Sequence, residues 1–187
     1  MPSWARVATR SRVPLGFVFA AAYLWFARPT WVSLCAGAAL MLAGILIRAI
    51  ASGHIRKNAA LATTGPYAYT RNPLYLGSIV IALGFIVAAR NVWIGVAAVA
   101  MFAFIYLPVI KAEESYLRST FADYAQYAGQ VPRFFPRLTP YRVEGVAADG
   151  RSSFSAELYM RHREYNAALG SVLMIGALIL KMMLVHT

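Results

Sequence analysis

Two short stretches carry side chains suited to chemistry in a chain that is otherwise mostly apolar. The first, GPYAYTRNPLYLG at residues 65–77, sets Tyr67, Tyr69, Arg71, Asn72 and Tyr75 among two prolines and two glycines. The second, KAEESYL, begins at Lys111 and contains the neighbouring carboxylates Glu113 and Glu114. A guanidinium can take an anion, phenol rings can face a planar group, and carboxylates can accept from hydroxyls or balance a positive charge. Each stretch by itself also has a plainer reading. The tyrosines suit an aromatic belt at a membrane interface, and a charge pair at a helix exit is ordinarily solvated.

The backbone around these residues is constrained by proline. A residue preceding proline avoids the α region, so Gly65 and Asn72 are expected to be extended or turn-like, and 65–72 is not continuous helix. Asn72 as N-cap with Pro73 at the first helical position then starts the next helix at about Pro73. The free N–H groups of its first turn attract anionic groups. Non-helical backbone at membrane depth is tolerated where protein covers it or where it lines a wet cavity, so a polar break here points to a cavity. In PVIKAEESYLRSTFADYAQY, residues 108–127, a helix is expected to run on past the membrane with Leu117, Phe121 and Tyr124 on one face. Pro108 is expected to kink it. Adjacent helical residues diverge by about 100°, so at most one of Glu113 and Glu114 points fully inward.

The positioning elements follow from composition. Of 187 residues 60% are hydrophobic and 13% charged, which makes the bilayer the expected solvent. The net charge is +11, with cations flanking apolar runs, which fits a membrane topology better than nucleic-acid binding. Apolar stretches at 13–27, 31–50, 73–89, 92–110 and 167–185 predict an all-α integral membrane bundle of about five transmembrane helices. The N-terminal run imitates a signal peptide but reads as a retained first helix, since later segments are also membrane-like. Cations gather on one side in this arrangement, with Arg28, Arg90 and Lys181 on the other, which places the N-terminus inside and the C-terminus outside. The organisation expected is one membrane domain over 1–187. It comprises a helical hairpin at 13–51, a core at 52–137, and an amphipathic plus transmembrane helix at 156–185. Residues 139–155 read as a polar loop in which Ser153 or Ser155 caps that helix, which continues through AELYMRHREYNAALG. Cys35 is the lone cysteine and, with three scattered histidines, gives no zinc pattern.

Taken together and in order, GPYAYTRNPLYLG and EESYL…YAGQVPRFFP resemble the isoprenylcysteine carboxyl methyltransferase and phospholipid methyltransferase family of integral membrane enzymes, over roughly residues 48–137. The resemblance implies S-adenosylmethionine as methyl donor in a cytoplasmic pocket. Carried over by position, it implies cofactor contacts from Ala59, Ala60, Leu61 and Ala62, from Tyr67, from the run Arg71, Asn72, Pro73, Leu74 and Tyr75, and from Glu113 and Glu114. Two positions depart from the family pattern. Asn72 stands where a histidine is usual, and an amide cannot titrate. Val109 and Ile110 stand where the isoprenylcysteine enzymes place a substrate-binding arginine one turn before the acidic pair.

The function this implies is a direct methyl transfer from a sulfonium to a lipophilic, membrane-associated or prenylated acceptor, which needs alignment and exclusion of water more than covalent help. The catalytic residue is unknown. If the acceptor arrives protonated, a carboxylate or His54 has to act as base. His54 otherwise reads as an interfacial residue. Arg133, Arg137 and the cations of RHR at 161–163 read as a headgroup collar, with substrate contact by Arg133 an alternative. Membrane lipids are the expected surroundings, and neither nucleic acid nor a metal is expected as a partner. Two other classes compete. One is a sterol-reductase-like enzyme using NADPH, whose 2′-phosphate two nearby carboxylates would repel; the other is a non-catalytic membrane scaffold.

Overall fold

The computed structural model describes residues 3–55, 60–142 and 154–185. Among these, every regular element is helical: α1 Ser3–Phe26, α2 Trp31–Ser52, a 3-10 turn Gly65–Ala68, α3 Pro73–Ala89, α4 Val92–Met101, α5 Leu107–Thr120, α6 Tyr124–Gln130, α7 Ala156–Arg161 and α8 Tyr165–Val185. A π-helical stretch, Phe102–Tyr106, joins α4 to α5 without a break. The expected kink at Pro108 takes this form. Proline has no N–H to give the preceding turn, and the widened register, with Leu107 N–H donating to the Phe102 carbonyl, absorbs the mismatch inside an apolar helix.

The expectation of about five spans is corrected: among the described residues three helices are long and apolar enough to cross a membrane, Trp31–Ser52, Val92–Thr120 and Tyr165–Leu184. The other two apolar runs are helical but shorter, Val13–Phe26 and Pro73–Ala89. The first helix begins at Ser3, well before its apolar part, and its early turns carry Arg6, Arg10 and Arg12. The other is bounded by Pro73 and by Arg90, whose φ of 50° ends the helix; at 1.5 Å per residue it reaches roughly 25 Å of a core about 30 Å thick. Two expected continuities are also interrupted. The helix after Pro108 stops at Thr120 and restarts at Tyr124, so Leu117, Phe121 and Tyr124 do not share one helical face. The C-terminal helix is broken between Arg161 and Tyr165, where Arg163 adopts a φ of 54°. Ser155 does cap α7, accepting from Leu158 N–H at 3.3 Å. Ser153, Arg151 and most of the 139–155 loop lie outside the described residues, as do Arg56 and Lys57.

The chain forms two compact units. Unit 1 comprises residues 1–41, 82–120 and 172–187. Its helix ends are satisfied reciprocally. Thr30 and Ser33 exchange bonds at the start of α2, Thr30 N–H to Ser33 Oγ at 2.9 Å and Ser33 N–H to Thr30 Oγ1 at 3.3 Å. Asn91 caps α4 through Trp93 N–H at 2.9 Å, and its amide donates to the Phe26 carbonyl at 3.0 Å. Lys181 on α8 donates from Nζ to the carbonyls of Leu24, Trp25 and Ala27 at 2.7, 2.9 and 2.8 Å. Those carbonyls have no intrahelical donor at the end of α1, and in an apolar medium leaving them unpaired is costly.

Unit 2 comprises residues 42–81 and 121–171. Here α2 and α3 approach at glycine: a Cβ on Gly44 would fall 2.6 Å from the Gly77 carbonyl oxygen, and one on Gly77 2.6 Å from the Arg48 side chain. Arg48 uses that closeness. Its guanidinium donates to the Leu74 carbonyl at 3.2 Å, to Ser78 Oγ, and to Glu164 Oε2 at 2.7 and 2.9 Å. One charged pair thus ties α2, the first turn of α3 and the residue preceding α8. The pair is shielded, with side chains 23% and 11% exposed, so loss of one partner strands a charge that removal of both does not. Glu164→Leu is expected to lower unfolding stability in detergent by about 2 kcal/mol, and Arg48→Met/Glu164→Leu to recover most of it. Additive losses in the double variant would show that the pair does not act as a unit.

Candidate functional site

The break at 65–72 begins with Gly65 at φ 57°, in the left-handed region that glycine tolerates. The same position is crowded by His54, whose ring carbon Cδ2 would lie 2.5 Å from an added Cβ. Glycine is therefore required twice, by conformation and by space. His54 Nδ1 lies 2.8 Å from the Ile50 carbonyl, which acts as acceptor and so assigns the proton to Nδ1, leaving Nε2 on the Gly65 side as the basic nitrogen. From the sequence His54 reads only as an interfacial residue or a fallback base. Its packing against the motif comes from the helix end bringing residue 54 back to residue 65, which no local pattern announces.

Tyr67 and Ala68 close the 3-10 turn, residues 69–72 are neither helix nor strand, and a single later segment bonds the remaining polar groups of this stretch. The Tyr127 hydroxyl donates to the Tyr67 carbonyl at 2.7 Å, Tyr141 N–H to the Ala68 carbonyl at 2.9 Å, and Arg137 N–H to the Tyr69 carbonyl at 3.0 Å. In the reverse direction Arg71 N–H donates to the Pro132 carbonyl at 2.9 Å. The Arg133 carbonyl accepts from Thr70 Oγ1 at 3.0 Å and from the Asn72 amide at 3.3 Å. Tyr124, Tyr127, Val131 and Tyr141 are buried behind this clamp, and the rings of Tyr127 and Tyr141 meet edge to face at 5.4 Å. The predicted start of α3 is present, with Leu76 N–H bonded to the Asn72 carbonyl at 2.9 Å and Pro73 fully buried.

The residues singled out in the sequence fall as follows. In unit 2, Tyr67 is buried; Arg71, Asn72, Leu74 and Tyr75 are half-buried, as are Leu61 and Ala62, while Ala60 is exposed. Tyr75 rather than Tyr67 therefore has ring surface to offer. Ala59 lies outside the described residues. Arg133, half-buried, enters through its carbonyl as part of the clamp. Glu113 and Glu114 belong to unit 1, on α5, the first exposed and the second half-buried, as the angular divergence of neighbouring helical residues requires. Among the described residues no group of three or more His, Cys, Asp or Glu side chains is placed to hold a metal ion.

The family model for phospholipid methyltransferase matches residues 17–124. The chain belongs to the phospholipid methyltransferase family. The chain is similar to the cobalt-zinc-cadmium resistance protein CzcN of Cupriavidus metallidurans, at 33% identity over 79% of this chain and 71% of that protein. It is likewise similar to the nickel-cobalt-cadmium resistance protein NccN of Alcaligenes xylosoxydans xylosoxydans, at 33% identity over 69% of this chain. The aligned region spans 63% of NccN's length. No solved structure matches the chain. The family match takes in the break and the acidic pair but ends at Tyr124, before the clamp segment 127–141.

The clamp has a pH signature. Burial, reinforced by Tyr124 and opposed by Arg71, pushes the Tyr127 hydroxyl well above its ordinary value of 10.0, so it stays a neutral donor to the Tyr67 carbonyl. A folded-state value raised above the unfolded one gives stability that is complete below the unfolded value and is lost as pH climbs beyond it. Tyr127→Phe is expected to cost about 1 kcal/mol at neutral pH and to flatten the decline of stability between about pH 9 and pH 12. Parallel curves for parent and variant across that range would contradict the assignment.

Proposed function

We propose that the protein is an S-adenosylmethionine-dependent methyltransferase of the membrane, acting on a lipophilic or membrane-associated acceptor, with its donor pocket on the cytoplasmic side. The observation that carries this reading is the clamped break at 65–72 leading into the N-terminus of α3, in a chain of the phospholipid methyltransferase family. The residues present suit the donor's chemistry. Its carboxylate would be taken by Arg71 and the first-turn N–H groups of α3, and its adenine by the Tyr75 ring beside the apolar Leu61 and Ala62. S-adenosylmethionine supplies, when bound, a methyl group on a positively charged sulfur.

What the chain itself contributes is placement. Arg48 bonds the carbonyl of Leu74 and the hydroxyl of Ser78, fixing the first turn of α3 from the side of α2. Asn72, bonded to the Arg133 carbonyl, acts in the clamp and moves no proton. For an acceptor that arrives protonated, His54 Nε2 is the basic nitrogen beside the motif. The absence of an arginine at Val109 and Ile110 argues against a prenylcysteine carboxylate as acceptor and for a membrane lipid or another small amphiphile. The metal-resistance names of the two relatives make cells grown under metal stress the setting in which to look for that acceptor.

The test is ligand-induced stabilisation of the purified chain in detergent. S-adenosylmethionine or its demethylated product at about a hundred times Kd should raise the thermal midpoint by about 5–10 °C. Arg71→Gln/Tyr75→Ala should abolish the shift. A parent that ignores both ligands, or that responds to NADPH instead, overturns the reading.

A further inference from the structure

We propose that unit 1 carries a second binding site, unrelated to methyl transfer, for a phosphate monoester head group attached to an apolar chain. The site is a cavity of about 430 Å³ where the α1–α2 link meets the α3–α4 link, lined by Trp25, Ala27, Arg28, Pro29, Arg90 and Lys181.

Three observations converge. The first is charge. Arg28, Arg90 and Lys181 line one cavity, and the carboxylates of unit 1, Glu113 and Glu114, stand far along the continuous helix that starts at Val92, roughly 30 Å away and several screening lengths off. Among the described residues, no carboxylate pairs with any of the three cations. The second is the way the cations are held. Lys181 spends its three N–H bonds on the carbonyls of Leu24, Trp25 and Ala27, so it contributes field and no donor. The guanidiniums of Arg28 and Arg90 are exposed and supply the donors, in the forked geometry that matches phosphate.

The third is conformation. Arg90 sits at φ 50°, where glycine would be easier, immediately after α3. The backbone there is pinned, with Arg28 N–H donating to the Ala89 carbonyl at 2.8 Å. A side chain kept at a strained position beside a cavity of matching charge is accounted for by a ligand. Apart from Thr30 the rest of the lining is apolar, with Trp25 80% exposed, which suits the chain of an amphiphile more than a free ion.

The experiment titrates octyl phosphate, inorganic phosphate and octyl glucoside into the full chain in an uncharged detergent and follows the thermal midpoint. Saturating octyl phosphate should raise it by about 5 °C, and octyl glucoside should leave it unchanged. Arg28→Gln/Arg90→Gln should lose the rise. Arg90→Gly serves as the folding control: its ligand-free midpoint should stay level or increase, because glycine suits φ 50°, while its response to octyl phosphate weakens. A rise with octyl phosphate alone supports the site with a lipid head group as its source. An equal, arginine-dependent rise with inorganic phosphate supports it with a free anion. No rise with octyl phosphate, an equal rise with octyl glucoside, or a rise that survives in the double arginine variant overturns it.

Discussion

Backbone polar groups between apolar helices have to be paired, and at residues 67–72 the 3-10 turn takes the N–H groups of Tyr67, Tyr69 and Thr70 while neither α-helix nor sheet takes the carbonyls of Tyr67, Ala68 and Tyr69. The structure answers with one later segment, the end of α6 and the irregular chain after it. Residues 127–141 supply donors to three successive carbonyls, those of Tyr67, Ala68 and Tyr69, and acceptors to Arg71 and Asn72. Everything proposed for the site depends on this exchange. It holds the chain out of the α-helix up to Asn72, and Pro73 then begins α3.

Rigidity on the other side of α3 comes from a different source. Gly44 and Gly77 let α2 and α3 close up, and Arg48 reaches across to the Leu74 carbonyl and Ser78 while paired with Glu164. A charge in an apolar helix is expensive, and it is retained here with one carboxylate and two further acceptors around it. The motif helix is thus fixed at its start by a backbone clamp and from its flank by an ion pair. Preorganisation of that kind is what a methyl transfer needs most, because alignment supplies most of what the reaction requires.

The sequence made some of this legible and hid the rest for physical reasons. Proline restricts its predecessor, so the break at 65–72 and the start at Pro73 could be read directly, whereas the bond from the Asn72 amide to the Arg133 carbonyl could not. Apolar runs located all five long helices. The runs at 13–27 and 73–89 already fell short of the roughly 20 residues a span needs, and the helices over them, Val13–Phe26 and Pro73–Ala89, keep almost the same bounds. The clamp was invisible because VPRFFPRLTPY has no periodicity; its meaning lies in bonds to residues some sixty positions earlier. The pairing of Arg48 with Glu164 was equally hidden, because the two residues lie 116 positions apart and no local pattern links them. The breaks after Thr120 and Arg161 also escaped, because the helical pattern runs through them and no proline marks them.

The central claim, that the clamped break is where the methyl donor sits, is tested most directly by irradiating the purified chain with methyl-labelled S-adenosylmethionine and mapping the labelled peptides. The account predicts label in the peptide containing residues 65–77, removed by excess unlabelled donor. Competable label found only elsewhere in the chain, or no competable label at all, would contradict it.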